Sequence, residues 1–118
     1  MQYMILIYDS EKEWDKLSKA EIDKVYAAYG AYTEEMQKAG VMRGANQLQS
    51  ITTATTVRLR GGKLQTTDGP FAETKEQLGG YYLIDVPNLD EAVRWAAKCP
   101  SAPVGSIEVR PIVERPGA

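Results

Sequence analysis

Two segments of this chain have large apolar side chains on both faces of a predicted strand, and this pattern restricts the fold most. In the first, Gln2–Tyr8, the two faces carry Tyr3, Ile5, Ile7 and Met4, Leu6, Tyr8. In the second, Gly80–Val86, they carry Tyr81, Leu83 and Tyr82, Ile84, Val86. Successive side chains of a strand point to opposite faces of its sheet. Both faces of the sheet that contains these strands therefore need cover.

Two further segments have the pattern of amphipathic helices with N-terminal caps. Ser18 opens an S-x-x-E capping box before an apolar stripe of 3.6-residue spacing, and Gly40 is placed to end that helix in the left-handed conformation. Asn88 caps the second helix, and Pro100 ends it. The segment between the first strand and the first helix is predicted to be a polar loop.

The remaining strands complete a ferredoxin-like order of elements. Strands are predicted at Val41–Gln49 and Ser106–Val113, and a hairpin at Thr53–Arg60 and Lys63–Thr67 with Gly61-Gly62 as its tight turn. The order is therefore β-α-β, hairpin, β-α-β. At 118 residues the chain fits one α+β domain, residues 1–118, with an antiparallel sheet.

The two-sided strands predict a homodimer. Two helices can cover only one face of a sheet of this size, and the other face would expose on the order of several hundred Å² of apolar surface. A second copy that places its own sheet there buries both faces symmetrically. The alternative is a monomer whose tyrosines tolerate water.

The chain has no histidine and a single cysteine, and these counts exclude most catalytic and metal sites. Ser-His-Asp catalysis, Cys-His catalysis and haem held by a proximal histidine all require a histidine. Zinc is not expected with one cysteine and no histidine. We predict no cofactor and no metal. Cys99 cannot form an internal disulfide, which favours a reducing compartment and hence the cytoplasm.

Charge and hydropathy exclude two further classes of partner. The formal net charge is -2, and lysines and arginines are scattered among acids, so we predict no nucleic-acid partner. The apolar run Met4–Tyr8 is too short for a signal peptide or a membrane span. We therefore also predict no membrane partner.

The most unusual stretch is the loop Asp68-Gly69-Pro70-Phe71. Pro70 fixes its own φ and is predicted to keep Gly69 extended. The Asp68 carboxylate is then free to accept from nearby amides or to point into a cleft, and we predict that it is a catalytic acid or base. The competing interpretation is that Asp-Gly-Pro forms an ordinary turn with no chemical role.

Eight residues are predicted to accompany Asp68 as a binding site: Gly69, Pro70, Phe71, Glu73, Lys75, Gly79, Gly80 and Arg43. Paired glycines at a strand entrance indicate close approach of a ligand, a neighbouring strand or a bulge. A lone arginine can hold an anion. The alternating charges after Phe71 are equally typical of a solvated, salt-bridging run.

Two other groups are predicted to be structural. Tyr26, Tyr29 and Tyr32 lie at helical spacing, which favours the core. Cys99 lies near a helix C-terminus, where the negative end of the helix dipole disfavours a thiolate. We predict that it is a small buried apolar side chain.

The run from Asp68 to Pro87, DGPFAETKEQLGGYYLIDVP, closely resembles the DGPF-domain branch of the YCII-related family. The opening YMILIY, the hairpin strand ATTVR and the closing VRP resemble it as well, so the likeness spans nearly the whole chain. It implies a dimeric α/β barrel, in which the sheets of two ferredoxin-like protomers pack together. It also implies that Asp68 and seven of its eight predicted companions, all but Arg43, are signature positions.

The resemblance has two functional implications. The fold is similar to that of muconolactone isomerases and small monooxygenases, which act on cyclic or aromatic compounds in a cleft between helix and sheet. Shorter members of the wider group have been proposed to use a His/Asp pair, which this chain cannot supply because it has no histidine. DGPF members often occur beside sigma-factor regions, which implies a regulatory setting.

Two functions follow as hypotheses. In the first, the chain binds a small carbonyl, acidic or aromatic compound in a cleft beside the sheet, with Asp68 as acid/base and Lys75 or Arg43 as anion partner. In the second, the chain is a non-catalytic regulatory or protein-interaction module that docks through the charged loop Glu73–Glu76, with the link to sigma-factor-dependent transcription that the resemblance implies.

Overall fold

The computed structural model describes residues 1–116, so the last two residues of the predicted domain lie outside it. The helices are α1 (Glu11–Asp15), α2 (Lys19–Lys38) and α3 (Leu89–Ala97), and a 3-10 turn spans Ile51–Thr53. The strands are β1 (Gln2–Asp9), β2 (Met42–Gln47), β3 (Thr55–Arg60), β4 (Lys63–Asp68), β5 (Gln77–Asp85) and β6 (Ser106–Pro111).

Four of the strands form one sheet in the order β2-β5-β1-β6, and β3 and β4 form a separate hairpin. All the pairings are antiparallel, with β1 between β5 and β6, and β5 between β1 and β2. The predicted α+β class with antiparallel sheets is confirmed. The strand order is compatible with a ferredoxin-like arrangement.

The core lies between one face of this sheet and the helices α2 and α3. Its buried side chains are Tyr3, Ile5, Ile7, Tyr32, Met36, Tyr82, Ile84, Val86, Ala92, Ala96 and Cys99. The alternate side chains of β1 and β5 point to the opposite face and are only half-buried: Met4, Leu6, Tyr8, Tyr81 and Leu83. None of these five belongs to the core. We call this second surface the open sheet face.

The helix ends follow the predicted signals. The Ser18 hydroxyl accepts from the Glu21 amide at 3.1 Å, and the Glu21 carboxylate accepts from the Ser18 amide at 3.1 Å. Gly40 has φ +73° after α2, as its left-handed stop requires. Asn88 caps α3 by accepting from the Glu91 amide at 3.0 Å.

The predicted polar loop before α2 was wrong in one respect, because it contains the short helix α1. Ser10 caps this helix, accepting from the amide of Glu13 at 3.4 Å. The Trp14 ring lies 6.2 Å from the Tyr26 ring, centroid to centroid. Packing on a residue of α2 therefore supports a helix too short to be stable by itself.

The hairpin has the predicted turn. Gly61 and Gly62 have φ of +56° and +75°, which glycine adopts without steric cost. β4 continues one residue beyond the prediction, to Asp68, which pairs with Thr55. Within residues 1–116, no helix is long and apolar enough to cross a bilayer.

Candidate functional site

A cleft of about 630 Å³ lies beside the sheet, bounded by α1, α2, the 3-10 turn and the ends of β1, β2 and β5. Its volume is in the usual range of small-molecule sites. Four aromatic residues line it, Trp14, Tyr26, Tyr29 and Tyr82, and Tyr81, whose side chain points to the open sheet face, borders it as well. The cleft is therefore large enough for a ring compound and has walls on which one can pack.

The helix α2 brings two of these rings to the cleft. Tyr26 and Tyr29 are three residues apart and share one side of the helix. The Gln47 side chain donates to the Tyr26 hydroxyl at 3.1 Å, which ties α2 to the end of β2. The prediction that all three helix tyrosines are core was wrong for Tyr26, which is 49% exposed, whereas Tyr29 is half-buried and packs against the core. Only Tyr32 is buried, because the first part of α2 faces the cleft.

A chain of hydroxyl groups leads from Tyr29 to Asp9, the last residue of β1. The Tyr29 and Ser101 oxygens are 2.5 Å apart, and the Ser101 hydroxyl donates to Asp9 Oδ2 at 3.3 Å. A serine hydroxyl has one proton to donate. Tyr29 is therefore the donor to Ser101, and the Asp9 carboxylate is the acceptor at the end of the chain.

Burial keeps the other members of this network protonated. Burial, and then the contact with Cys99, raise the pKa of Tyr29 well above its ordinary value. Burial also raises the pKa of the Cys99 thiol, which lies 3.4 Å from the Tyr29 hydroxyl. Cys99 is buried, as predicted. Both groups are therefore neutral near pH 7 and cannot act as bases there.

A second carboxylate at the cleft, that of Glu11, has a structural task. It accepts from the Ser50 hydroxyl at 2.7 Å and from the Ile51 amide at 3.0 Å, which holds the 3-10 turn against α1. The Glu11 amide in turn donates to the Gln77 side chain at 2.9 Å. Glu11 thus fixes one wall of the cleft, whereas the Asp9 carboxylate accepts a hydrogen bond from Ser101 alone within residues 1–116.

The predicted glycine pair lies at this cleft, with Gly79 in a bulge and Gly80 at a close approach of two strands that leaves no room for a side chain. Gly79 is the extra residue of a bulge where β5 passes β1, and an added Cβ would lie 3.5 Å from Asp9 Oδ1. An added Cβ at Gly80 would lie 2.9 Å from the Asn46 carbonyl of β2. Two of the three explanations considered from the sequence, a bulge and a neighbouring strand, therefore apply.

The loop around Asp68 does not line the cleft. Asp68 and Phe71 are exposed at the end of the hairpin. Gly69 has φ +100° and donates its amide to the Ala54 carbonyl at 2.7 Å, so the prediction of an extended Gly69 was wrong. The backbone bond to Ala54 decides its conformation, and glycine permits it. A catalytic role for Asp68 stays a prediction.

The other predicted binding residues are also outside the cleft. Pro70, Glu73 and Lys75 are exposed in the segment before β5. The Arg43 guanidinium donates to the Gly40 carbonyl at 2.9 Å and lies 3.9 Å from the Asp85 carboxylate. Ligand binding by these residues stays a prediction, as does docking through Glu73–Glu76. Residues 1–116 contain no group of three or more potential metal ligands.

Comparisons with known proteins identify the family. The model of the YCII-related domain matches residues 1–115. An uncharacterized protein, R00369, of Rhizobium meliloti (strain 1021) is 40% identical over 120 residues, which cover 99% of this chain and 97% of that protein. The match extends over the sheet, the helices, the hairpin and the cleft. The chain therefore belongs to the YCII-related family.

Proposed function

We propose that this chain binds a small neutral or cationic aromatic molecule in the cleft, with Asp9 accepting a hydrogen bond or a proton from it. The observation that carries the proposal is the meeting of an aromatic-lined cleft of about 630 Å³ with a carboxylate at the end of β1. A mostly apolar pocket with a few convergent polar groups is the usual form of a small-molecule site.

The aromatic walls determine the shape of the ligand. Trp14 and Tyr26 form one wall, with their rings inclined at 54°. Tyr29 of α2 and Tyr82 of β5 line the cleft as well. Aromatic rings prefer offset-stacked or edge-to-face contacts with other rings, and such pairs contribute about 0.5–1.5 kcal/mol beyond the area that they bury.

The charges at the cleft determine the sign of the ligand. Three acids line it, Asp9, Glu11 and Asp15, against one base, Lys12. An anion would meet repulsion from this excess, and the predicted anion partners Arg43 and Lys75 lie elsewhere. Of the three ligand classes that we inferred from the sequence, the acidic one is therefore the least favoured.

The network behind Asp9 supports acid–base chemistry without histidine. The Ser101 hydroxyl holds one carboxylate oxygen, so the carboxylate is oriented while its other oxygen, beside Gly79, can face a ligand. In a proton transfer, Asp9 would take a proton from a carbon next to a carbonyl, become a carboxylic acid and return that proton to the product. Asp9 thus takes the role that we predicted for Asp68.

Tryptophan fluorescence tests the binding step. Of the two tryptophans, only Trp14 lines the cleft, so Trp95→Phe leaves a single reporter at the site. We expect phenol and aniline to change its fluorescence saturably, and benzoate to bind at least tenfold more weakly. Asp9→Asn should weaken aniline at least tenfold, and Asp90→Asn, on the exposed first turn of α3, should not. Benzoate binding as tightly as aniline, or an unaffected Asp9→Asn variant, would contradict the proposal.

Assembly as a homodimer is the second part of the proposal, and the open sheet face supports it. Met4, Leu6 and Leu83 lie there outside the core of a single copy, and a second copy would bury them. Leu6→Glu should convert the dimer to a monomer in sedimentation equilibrium, and Gln37→Glu on α2 should not. A wild-type monomer at micromolar concentration would contradict this part. We also propose that the chain belongs to the DGPF branch of the family and that it is located in the cytoplasm.

A further inference from the structure

The β3–β4 hairpin, residues 55–68, which we call the arm, has one apolar and one basic face. Leu59 pairs with Leu64, and Val57 pairs with Thr66, so these side chains share a face. Their exposures are 61% for Val57, 67% for Leu59 and 70% for Leu64. Such exposure of three neighbouring aliphatic side chains is typical of a binding surface.

The arm has little to hold it together within a single copy. It is a two-stranded sheet of its own, and within residues 1–116 neither strand pairs with the four-stranded sheet. An isolated two-stranded hairpin is marginally stable in water and needs packing against another surface. Its fold therefore indicates that something covers its apolar face.

The dimensions of the chain indicate how much of its surface a second copy would bury. The radius of gyration is 16.5 Å, whereas a compact chain of this length has about 13.5 Å. The accessible surface is 8378 Å², against roughly 6400 Å² for a compact monomer of 13.1 kDa. The excess is roughly 2000 Å² per copy, or roughly 4000 Å² for two, which is typical of obligate homodimers.

The charge of the arm complements the rest of the chain. The arm carries Arg58, Arg60 and Lys63 and one acid, Asp68. Of the 14 bases and 16 acids in the chain, 11 bases and 15 acids therefore lie outside it. The arm is net +2 and the remainder net -4. A second copy thus offers a surface of the opposite sign.

We propose that the arm packs its apolar face on a second copy of this chain. This inference rests on the proposed homodimer and adds a contact distinct from the open sheet face. The symmetry of a dimer makes the exchange reciprocal, so that each copy both gives and receives an arm. Val57, Leu59 and Leu64 then become interface residues, and the basic face supplies attraction to the acidic remainder.

Sedimentation equilibrium of the full chain tests the inference. Leu59→Thr with Leu64→Thr removes apolar contact area while introducing a β-branched residue, which favours a strand, at each position. We expect the dimer dissociation constant to rise at least tenfold. The control is Gln65→Thr with Thr56→Ser, on the opposite face of the arm, which should change the constant less than twofold. Circular dichroism should show that all variants fold, because Leu59, Leu64 and Gln65 are exposed in one copy and Thr56→Ser keeps the hydroxyl that donates to the Gly69 carbonyl.

Hydrogen exchange supplies a second measurement, and the variants separate the two proposals. In the wild-type dimer the arm amides should be protected, and dilution to monomer should remove that protection. If Leu6→Glu abolishes the dimer while the arm variant leaves its dissociation constant unchanged, the arm inference is wrong and the sheet contact stands. If Leu6→Glu leaves the dimer intact while the arm variant weakens it, the sheet contact is wrong. A wild-type monomer would overturn both.

Discussion

The four-stranded sheet and the arm have the same local structure but opposite environments. Ile5 of β1 and Leu59 of β3 both lie in antiparallel strands with alternating side chains, yet Ile5 is 0% exposed and Leu59 is 67% exposed. The helices α2 and α3 cover the sheet face on which Ile5 lies, whereas no element of residues 1–116 buries Leu59. Local pattern and turn chemistry are therefore sufficient to specify a strand, whereas the stability that it contributes depends on what packs against it.

The largest expected effect compares these two residues directly. Ile5→Ala leaves a cavity in the core and should lower the free energy of unfolding by about 2–5 kcal/mol. Leu59→Ala removes a side chain that is exposed in one copy, and should cost less than about 0.5 kcal/mol. Urea denaturation at a protein concentration below the dimer dissociation constant measures both free energies. Equal losses would mean that the arm packs on its own chain.

Glycine positions give the second comparison. An added Cβ at Gly105 would lie 2.2 Å from the Tyr8 carbonyl, so Gly105→Ala forces the backbone of β1 to move and should cost about 3 kcal/mol. Gly62→Ala in the arm meets no atom within 4 Å, but its φ of +75° disfavours a side chain by about 1–2 kcal/mol. Urea denaturation again measures both losses in the free energy of unfolding. A larger loss for Gly62→Ala than for Gly105→Ala would contradict the prediction.

Alkaline pH is expected to destabilise the packed sheet through its tyrosines. Burial raises the pKa of Tyr29, Tyr32 and Tyr82 in the folded chain. The unfolded chain therefore loses these protons first, above about pH 10, and the stability that they contribute below that pH is lost as the pH rises. Tyr29→Phe should make the decline in urea midpoint between pH 9 and pH 11 shallower. A decline as steep in Tyr29→Phe as in the wild type would contradict this prediction.

The sequence predicts the frame of the fold because its signals are local. The capping box at Ser18, the Gly61-Gly62 turn and the two-sided pattern of β1 and β5 each depend on neighbouring residues, and each is found. The site was harder to predict. Asp9 is the first polar residue after an apolar strand, which is a signal, but its partner Ser101 is 92 positions away. Only the folded sheet brings the two together.

The smallest expected effect concerns the residue that is most conspicuous in the sequence. Asp68 is exposed at the end of the arm and does not line the cleft, so Asp68→Asn should change stability by less than about 0.5 kcal/mol. Aniline binding followed through Trp14 should change less than twofold, whereas Asp9→Asn reduces it at least tenfold. If Asp68→Asn abolished binding and Asp9→Asn did not, Asp68 and not Asp9 would hold the ligand beside Trp14. A partner's arm would then have to reach the cleft, because a single copy keeps Asp68 outside it.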